Sequence, residues 1–426
     1  MFNKFIQIFK IPELRNKILF VLGVFVVFRI MANIPIIGVD PLVMQRFFGA
    51  AEIFGFLNLF TGGALDQLSI VMLGLGPYIT ATIIMQLLTM IFPALNAMYK
   101  EEGETGRQKF NQYARMLTVP FAALQSYGML ALLQGGADPV IGELSFFVVF
   151  TWLLTVTAGT LFLMWLGELI TEKGIGNGVS LLIFAGIISM FPMQIRELLI
   201  GWEPAMIPTY LLFLGIALLI IAGVVLVNEG RRNIPVSYAK RVRGMKMYGG
   251  SSTYLPLNIN PAGVMPIIFA MSIILLPGMV ARFFINTAGP IGAIAQAITN
   301  FIENPFAYGL VFFLMIVIFT YFYTAVTFDP KAISTNLQKM GGFIPGIRPG
   351  QSTASFIYFI LNRVLLIGAI FLGIIAVMPS IIAGVTGVGV FQFLIGGTAT
   401  LIIVSVVLET MRQIKAQLQM REYESF

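Results

Sequence analysis

The chain has 426 residues, of which 58% are hydrophobic and only 11% charged, with a formal net charge of +7. Soluble domains are roughly one-quarter charged, so this composition points to a polypeptide that crosses a membrane repeatedly. It contains no cysteine and no histidine, which removes disulfides, thiol chemistry, thiolate metal sites and imidazole bases.

The chain opens "MFNKFIQIFKIPELRNK", with Lys4, Lys10, Arg15 and Lys17 ahead of an apolar run that continues past Pro35. That pattern predicts a retained first span rather than a cleaved signal peptide. Apolar runs of about 20 residues then predict ten spans, at roughly 18–38, 71–92, 114–133, 146–168, 175–191, 208–228, 262–282, 306–328, 353–378 and 389–409. Both termini fall on one side. Of the basic residues outside spans, 21 lie on that side and three (Arg46, Arg196 and Arg282) on the other. The excess makes the first side cytoplasmic. Arg29 and Arg363 fall inside spans, where such residues snorkel or pair with a loop carboxylate. The fifth candidate opens on Gly174, Gly176 and Gly178 and is short, which reads as a tilted or partly spanning segment. Pro77, Pro266 and Pro277 also fall within spans, where freed backbone groups need help from neighbouring helices.

Between the first two spans lies "NLFTGGALDQLSI", Asn58 to Ile70. It is too short to cross and too apolar for a wet loop. Leu59, Phe60, Leu65 and Leu68 are apolar, and Thr61, Gly62, Gly63 and Ala64 are small. The mix suits a short helix or turn tucked into a protein cavity. An interfacial re-entrant loop with structural duty only remains open.

The second and seventh spans resemble one another. In "GLGPYITATIIMQL" and "GVMPIIFAMSIILL", Gly74 and Pro77 align with Gly263 and Pro266, and Ile79, Ala81, Ile84 and Leu87 align with Ile268, Ala270, Ile273 and Leu276. An offset of five spans gives the copies opposite orientations, which suggests an inverted five-plus-five repeat with a path between the halves.

No Asp or Glu lies well inside any span, so ion coupling, a proton relay or an intramembrane aspartyl protease has no candidate residues. No phosphate-binding loop of the G-x-x-x-x-G-K-[ST] type is present. What the spans do offer is isoleucine at helical spacing: Ile79 with Ile83, and Ile183 with Ile187. Such residues can form an apolar constriction that excludes ions, or they can simply pack. A small-solute transporter and a scaffold without an aqueous pore remain alternatives to a passage.

Two long loops, Glu229 to Pro261 and Asp329 to Ser352, lie on the basic side. The first carries Arg231, Arg232, Lys240, Arg241, Arg243 and Lys246 beside an alternating Ile234, Val236, Tyr238 pattern that predicts a strand. The second carries "GGFIPGIRPGQST", a Gly/Pro-fixed turn presenting Arg348. Such loops suit docking of a large acidic partner, a soluble protein or ribosomal RNA.

The stretches "FTGGALDQLSI", "LGLGPYITATIIMQLL", "EKGIGNGVSLLIFAGI", "RRNIPVSYAKRV", "MYGGSSTYLPLNINPAGVMPIIFA", "GGFIPGIRPG" and "GGTATLIIVSVVLET" together resemble the SecY/Sec61-alpha family, and the likeness covers essentially the whole chain. The resemblance implies an all-α integral membrane fold. Ten transmembrane helices would form an inverted five-plus-five repeat, with halves 1–191 and 192–426, around an hourglass pore with a lateral gate. It places a pore ring on Ile79, Ile83, Ile183, Ile187, Ile268 and Ile402. A plug falls on about Asn58 to Ser69, including Phe60, Thr61, Gly62, Gly63, Ala64 and Leu65. Gln86 and Ser272 fall at the lateral gate between the second and seventh spans. Arg348 and the "RRNIPVSYAKRV" loop become docking elements. The implied partners are the small subunits SecE and SecG, the motor SecA, a translating ribosome with its rRNA, signal peptides and nascent chains, and anionic lipids. The implied location is the bacterial plasma membrane with both termini cytoplasmic. No cofactor, metal or catalytic residue is expected.

Overall fold

The computed structural model describes residues 11–36, 58, 61–134, 145–200, 204, 207–238, 241–243, 246–248, 252–284, 287, 289–386 and 397–424. Every predicted span coincides with a helix. In chain order these are α1 (Pro12–Ala32), α2 (Gly76–Ile91), α4 (Gly103–Gln134), α5 (Phe146–Lys173), α6 (Gly178–Ile200), α7 (Ile207–Glu229), α8 (Met265–Phe284), α10 (Pro305–Thr327), α12 (Gln351–Thr386) and α13 (Gly397–Glu424). Three shorter helices are α3 (Pro93–Lys100), α9 (Pro290–Glu303) and α11 (Pro330–Lys339). Among the described residues, five helical stretches are long and apolar enough to cross a membrane unaided, or six when the bent pair α2–α3 counts as one span. α1 carries a polar load in Glu13, Arg15, Lys17 and Arg29, whereas α8 is apolar over a shorter stretch, Met265–Ile274.

Several boundaries differ from the sequence expectation, each for a local reason. α1 ends at Ala32, so Arg29 stands in its last turn, beside the negative end of the helix dipole. Pro77 and Pro266 do not kink spans. They begin α2 and α8, where a missing N–H costs nothing. α2 ends at Phe92, which is extended because Pro93 follows, and α3 leaves at 111°. α6 runs through Pro192 to Ile200 and is one of the helices long enough to span. It is therefore neither short nor broken at residue 191.

The repeat seen in sequence has a backbone counterpart. Gly74 (φ +56°) and Gly263 (φ +62°) each occupy the left-handed region two residues before a helix begins. That conformation is cheap only for glycine.

The two basic-side loops fold together. β1 (Arg231–Tyr238) is the central strand of a three-stranded antiparallel sheet, flanked by β4 (Ser252–Asn258) and β5 (Gly342–Phe343). Ile234 pairs Leu255, and Ser237 pairs Phe343. Ile234 and Val236 bury their side chains against Leu257, Leu337, Ile344 and Ile357, the alternation a one-sided sheet requires. A hairpin of β2 (Arg241–Arg243) and β3 (Lys246–Tyr248) extends from this lobe.

The main core is one apolar cluster running through α1, α2, α5, α6, α7, α8, α10, α12 and α13.

Candidate functional site

The six isoleucines come from four helices remote in sequence. Ile79 and Ile83 share a face of α2, Ile183 and Ile187 a face of α6, Ile268 sits in the first turn of α8, and Ile402 lies in α13. All belong to the main cluster. Five are at most 4% exposed, and Ile79 packs against them half-buried. Chemically the assembly offers nothing but branched aliphatic surface. It can exclude water and ions, and it can deform around a polypeptide without specific bonds.

The segment after the first span packs beside this cluster. Ala64 belongs to it, along with Val71 and Leu75. Leu65 and Leu68 are not members of this cluster. They enter a second cluster with Met129, Leu130 and Leu133 of α4 and Trp152 and Val156 of α5. Phe60 lies outside the described residues.

Polar contacts fix the segment's backbone. The Asn58 amide donates to the Asp66 carboxylate, and the Asp66 N–H donates back to Asn58 Oδ1 at 3.3 Å. The Asn58 carbonyl accepts from the Gly63 N–H and the Thr61 hydroxyl. Residues after the turn pair with the end of α1: the Ile36 N–H donates to the Leu68 carbonyl at 2.9 Å, and the Ile70 N–H to the Ile34 carbonyl at 3.1 Å. Leu68 is the one non-glycine residue with positive φ (+41°) among the described residues. Its burial holds a conformation that costs about 1–3 kcal/mol.

The small residues are needed for contact rather than for looseness. A Cβ on Gly62 would lie 2.8 Å from Gly186 Cα on α6. On Gly159 of α5 it would lie 2.0 Å from the Ile70 carbonyl oxygen. Backbones touch at both points, so no larger side chain fits. Arg29 completes the arrangement. Among the described residues it donates to the Gly62 carbonyl at 2.5 Å and to the Ser189 hydroxyl oxygen at 3.1 Å. Ser189 in turn donates to the Gly186 carbonyl at 2.7 Å.

α2 and α8 pack directly on one another. Gln86 and Ser272 sit on these two helices without a hydrogen bond linking them. Ser272 donates to the Ile268 carbonyl of its own helix, and Gln86 Oε1 is buried with no partner among the described residues.

Of the basic loop residues, Arg231 and Arg232 are exposed on β1, and Arg348 is exposed in the turn held by Gly346 and Gly350, both at positive φ. The Thr353 hydroxyl donates to the Arg348 carbonyl, and the Ser334 hydroxyl to the Gly350 carbonyl. Arg241, Arg243 and Lys246 lie on the β2–β3 hairpin. Lys240 lies outside the described residues.

One polar cluster was missed in the sequence. Asn260 donates to Asn228 Oδ1 at 2.9 Å, Asn228 donates to Ser405 Oγ at 2.7 Å, and Arg412 donates to the Asn228 carbonyl at 2.6 Å. The available signal was Asn228, Asn260 and Arg412 at the ends of apolar runs, which looks like ordinary boundary chemistry, and Ser405 inside one.

A multi-span helical bundle whose centre is a buried apolar cluster, with a packed Gly-rich segment after its first helix and a basic sheet-bearing lobe, fits a membrane channel of the protein-conducting class. Comparison with known proteins agrees. The SecY family model matches residues 69–411. The protein translocase subunit SecY of Streptomyces scabiei is 42% identical over 444 residues, covering 100% of both chains. Two solved structures share the fold at low identity. One describes the plug domain of the SecY protein as stabilising the closed translocation channel (TM-score 0.63, 19% identity, 93% of this chain and 91% of that one). The other is Sec61 in the canine ribosome–channel complex (TM-score 0.62, 18% identity, 93% and 91%). The chain belongs to the SecY family: it is a multi-pass membrane channel subunit for protein translocation, not a catalytic enzyme.

Proposed function

We propose that this chain forms the conduit through which unfolded secretory polypeptides cross the bacterial plasma membrane, with both termini cytoplasmic. The observation that carries the reading is that six isoleucines from four helices meet in one buried apolar cluster, which also takes in Ala64 of the segment after α1. Ile79, Ile83, Ile183, Ile187, Ile268 and Ile402 act as the pore ring, and Asn58 to Ser69 act as the plug. The halves, residues 1–191 and 192–426, part between α2 and α8, near Gln86 and Ser272, to release apolar segments into lipid. This supports a passage for chains of any sequence, because a greasy ring makes no demands on charge or shape.

The partners follow from the lobe. The union of both loops in one sheet supports a single docking platform presenting Arg231, Arg232 and Arg348, extended by Arg241, Arg243 and Lys246. Its occupants are the motor SecA or a translating ribosome, the latter in keeping with the Sec61 complex noted above. SecE and SecG bind in the membrane, signal peptides and nascent chains enter the pore, and anionic lipids meet the basic surface.

The absence of native cysteine permits a direct test. Single cysteines at Ile83 and Ile268 should cross-link to a secretory chain arrested in transit, whereas cysteines at the exposed Leu211 and Leu218 of α7 should not. Failure at both inner positions with silent controls would remove the reading.

A further inference from the structure

The bulky apolar residues of an amphipathic helix ordinarily face the protein it packs on. α9 reverses this. It buries Gly292, Ala295 and Thr299, and a Cβ on Gly292 would meet the Thr287 carbonyl oxygen at 2.0 Å. Ile294 and Phe301 are left 61% and 48% exposed. With Ala297 and Ile298 they follow the i, i+3, i+4, i+7 spacing of a single helix face. All four line a cavity of about 480 Å³.

The other two walls are as regular. α8 supplies Ile273 and Pro277, and α10 supplies Val311 and Met315, in each case residues four apart. Ile273 and Pro277 stand about 140° around α8 from Ile268 and Ser272, so the cavity is separate from the isoleucine face. Its chemistry is hydrocarbon. Tyr308 carries the one polar group among the lining residues, and its ring stacks on Phe312 at a centroid distance of 5.7 Å. Such a wall gives a polar solute nothing to orient it, but it gives an alkyl chain close contact along its length.

Size and surroundings select the occupant. An apolar cavity of about 150 Å³ takes up one benzene ring. This one is roughly three times larger, with room for on the order of 15–20 carbon atoms. α8, α9 and α10 pack on one another pairwise, and a partner's helix, about 10–12 Å across, would have to part them. An unbranched chain would not. The exposed surface of the same helices is apolar too, at Leu310, Leu314 and Ile318 of α10 and Val280 of α8. In a multi-pass membrane protein that surface meets lipid.

We propose that this cavity takes up one acyl chain of a membrane phospholipid, which covers the apolar face of α9 and fills the space between α8 and α10. The site needs only a membrane, not a conduit.

The test uses the full chain in its native assembly, reconstituted into vesicles of phosphatidylethanolamine and phosphatidylglycerol. A trace of phosphatidylcholine with a diazirine at the end of one acyl chain is included. After illumination, adducts are mapped by mass spectrometry. Val311 and Met315 are half-buried, so surface contact alone would label them less than the exposed Leu211 and Leu218 of α7. An acyl chain in the cavity should label them more. Ala297 is exposed, so Ala297→Trp can fill the cavity without entering the core, and it should remove that excess. Ala297→Ser adds no comparable bulk and should keep it. Benzoylphenylalanine placed at position 297 should give a photoproduct heavier by one phospholipid. Four results would each overturn the proposal: no excess at Val311 and Met315 in wild type, an excess that survives in Ala297→Trp, its loss in Ala297→Ser, or a photoproduct with a protein subunit or a second copy of this chain.

Discussion

The guanidinium of Arg29 donates to the carbonyl oxygen of Gly62 at 2.5 Å, joining the last turn of the first helix to the Gly-rich turn that follows it in the chain. Ser189 of α6 stands beside both, accepting from Arg29 at 3.1 Å. The segment is thus gripped from two helices, by a charge on one and by backbone contact with Gly186 on the other. Arg29→Gln keeps length and polarity but removes the charge. A hydrogen bond to a charged group contributes about 1.5–3 kcal/mol, and partial exposure of Arg29 places this one at the low end. If the segment acts as the plug proposed above, it should leave its seat about tenfold more often, seen as raised ion conductance in planar bilayers without added substrate. Conductance equal to wild type would mean that Arg29 does not hold the plug.

Gly62→Val tests the backbone contact itself. The added Cβ would meet Gly186 Cα at 2.8 Å, at a position whose φ of +68° already disfavours a side chain. Leakage should exceed that of Arg29→Gln, because the plug cannot reseat. Gly63→Ala, where the nearest atom is the end of Met190 at 3.9 Å, carries only the positive-φ penalty of about 1 kcal/mol. It should leak less than Gly62→Val, and the reverse order would count against a close Gly62–Gly186 seat.

Gly159 of α5 has a different expectation, since it supports folding rather than sealing. A Cβ there would overlap the Ile70 carbonyl at 2.0 Å. Gly159→Val should destabilise the bundle by several kcal/mol, lowering the midpoint of thermal unfolding in detergent and the steady-state amount in membranes. Normal abundance together with a normal midpoint would show that α5 can withdraw without cost.

The ring predictions separate shape from polarity. Ile83→Leu and Ile268→Leu conserve volume and should alter stability by less than about 1.5 kcal/mol, with the seal intact. Ile83→Asn hydrates the constriction and should raise ion flux through plug-displaced channels more than through resting ones. An equal rise in both states would place the seal in the ring alone.

How much was legible beforehand follows from the kind of signal each feature leaves. Ten apolar runs marked ten helices because hydrophobic length is a local property. The isoleucine spacing, the Gly-x-x-Pro repeat and the Gly-rich segment after the first span were visible as patterns within short windows or as family motifs. Span ends were less legible: α6 outran its estimate because Pro192 is accommodated inside the helix, and α1 ended earlier because Pro35 and Asn33 close it. The neighbours of Leu65 and Leu68 were not legible, since sequence shows that a residue is apolar but not which of two clusters receives it. The Asn228–Asn260–Ser405 network joins residues up to 177 apart, a relationship that no local pattern carries.

The same reasoning applies to the lobe, where two loops read separately prove to be one sheet. β5 adds to β1 through Ser237–Phe343 and Tyr238–Gly342, while Ile234 and Val236 anchor the sheet over Leu337 of α11, Ile344 and Ile357 of α12. Ile234→Asp buries a charge in that core and should unseat the sheet, removing Arg231, Arg232 and Arg348 from their common platform at once. Arg348→Ala alone leaves the sheet in place and removes one exposed charge. Affinity for a soluble motor or for ribosomes, measured by flotation with membrane vesicles across a salt series, should then fall in two patterns. Arg348→Ala should weaken binding modestly and flatten its salt dependence. Ile234→Asp should lose most of the binding at every salt concentration, with the protein still membrane-inserted. If Ile234→Asp matched Arg348→Ala, the two loops would dock independently and the shared sheet would carry no functional coupling.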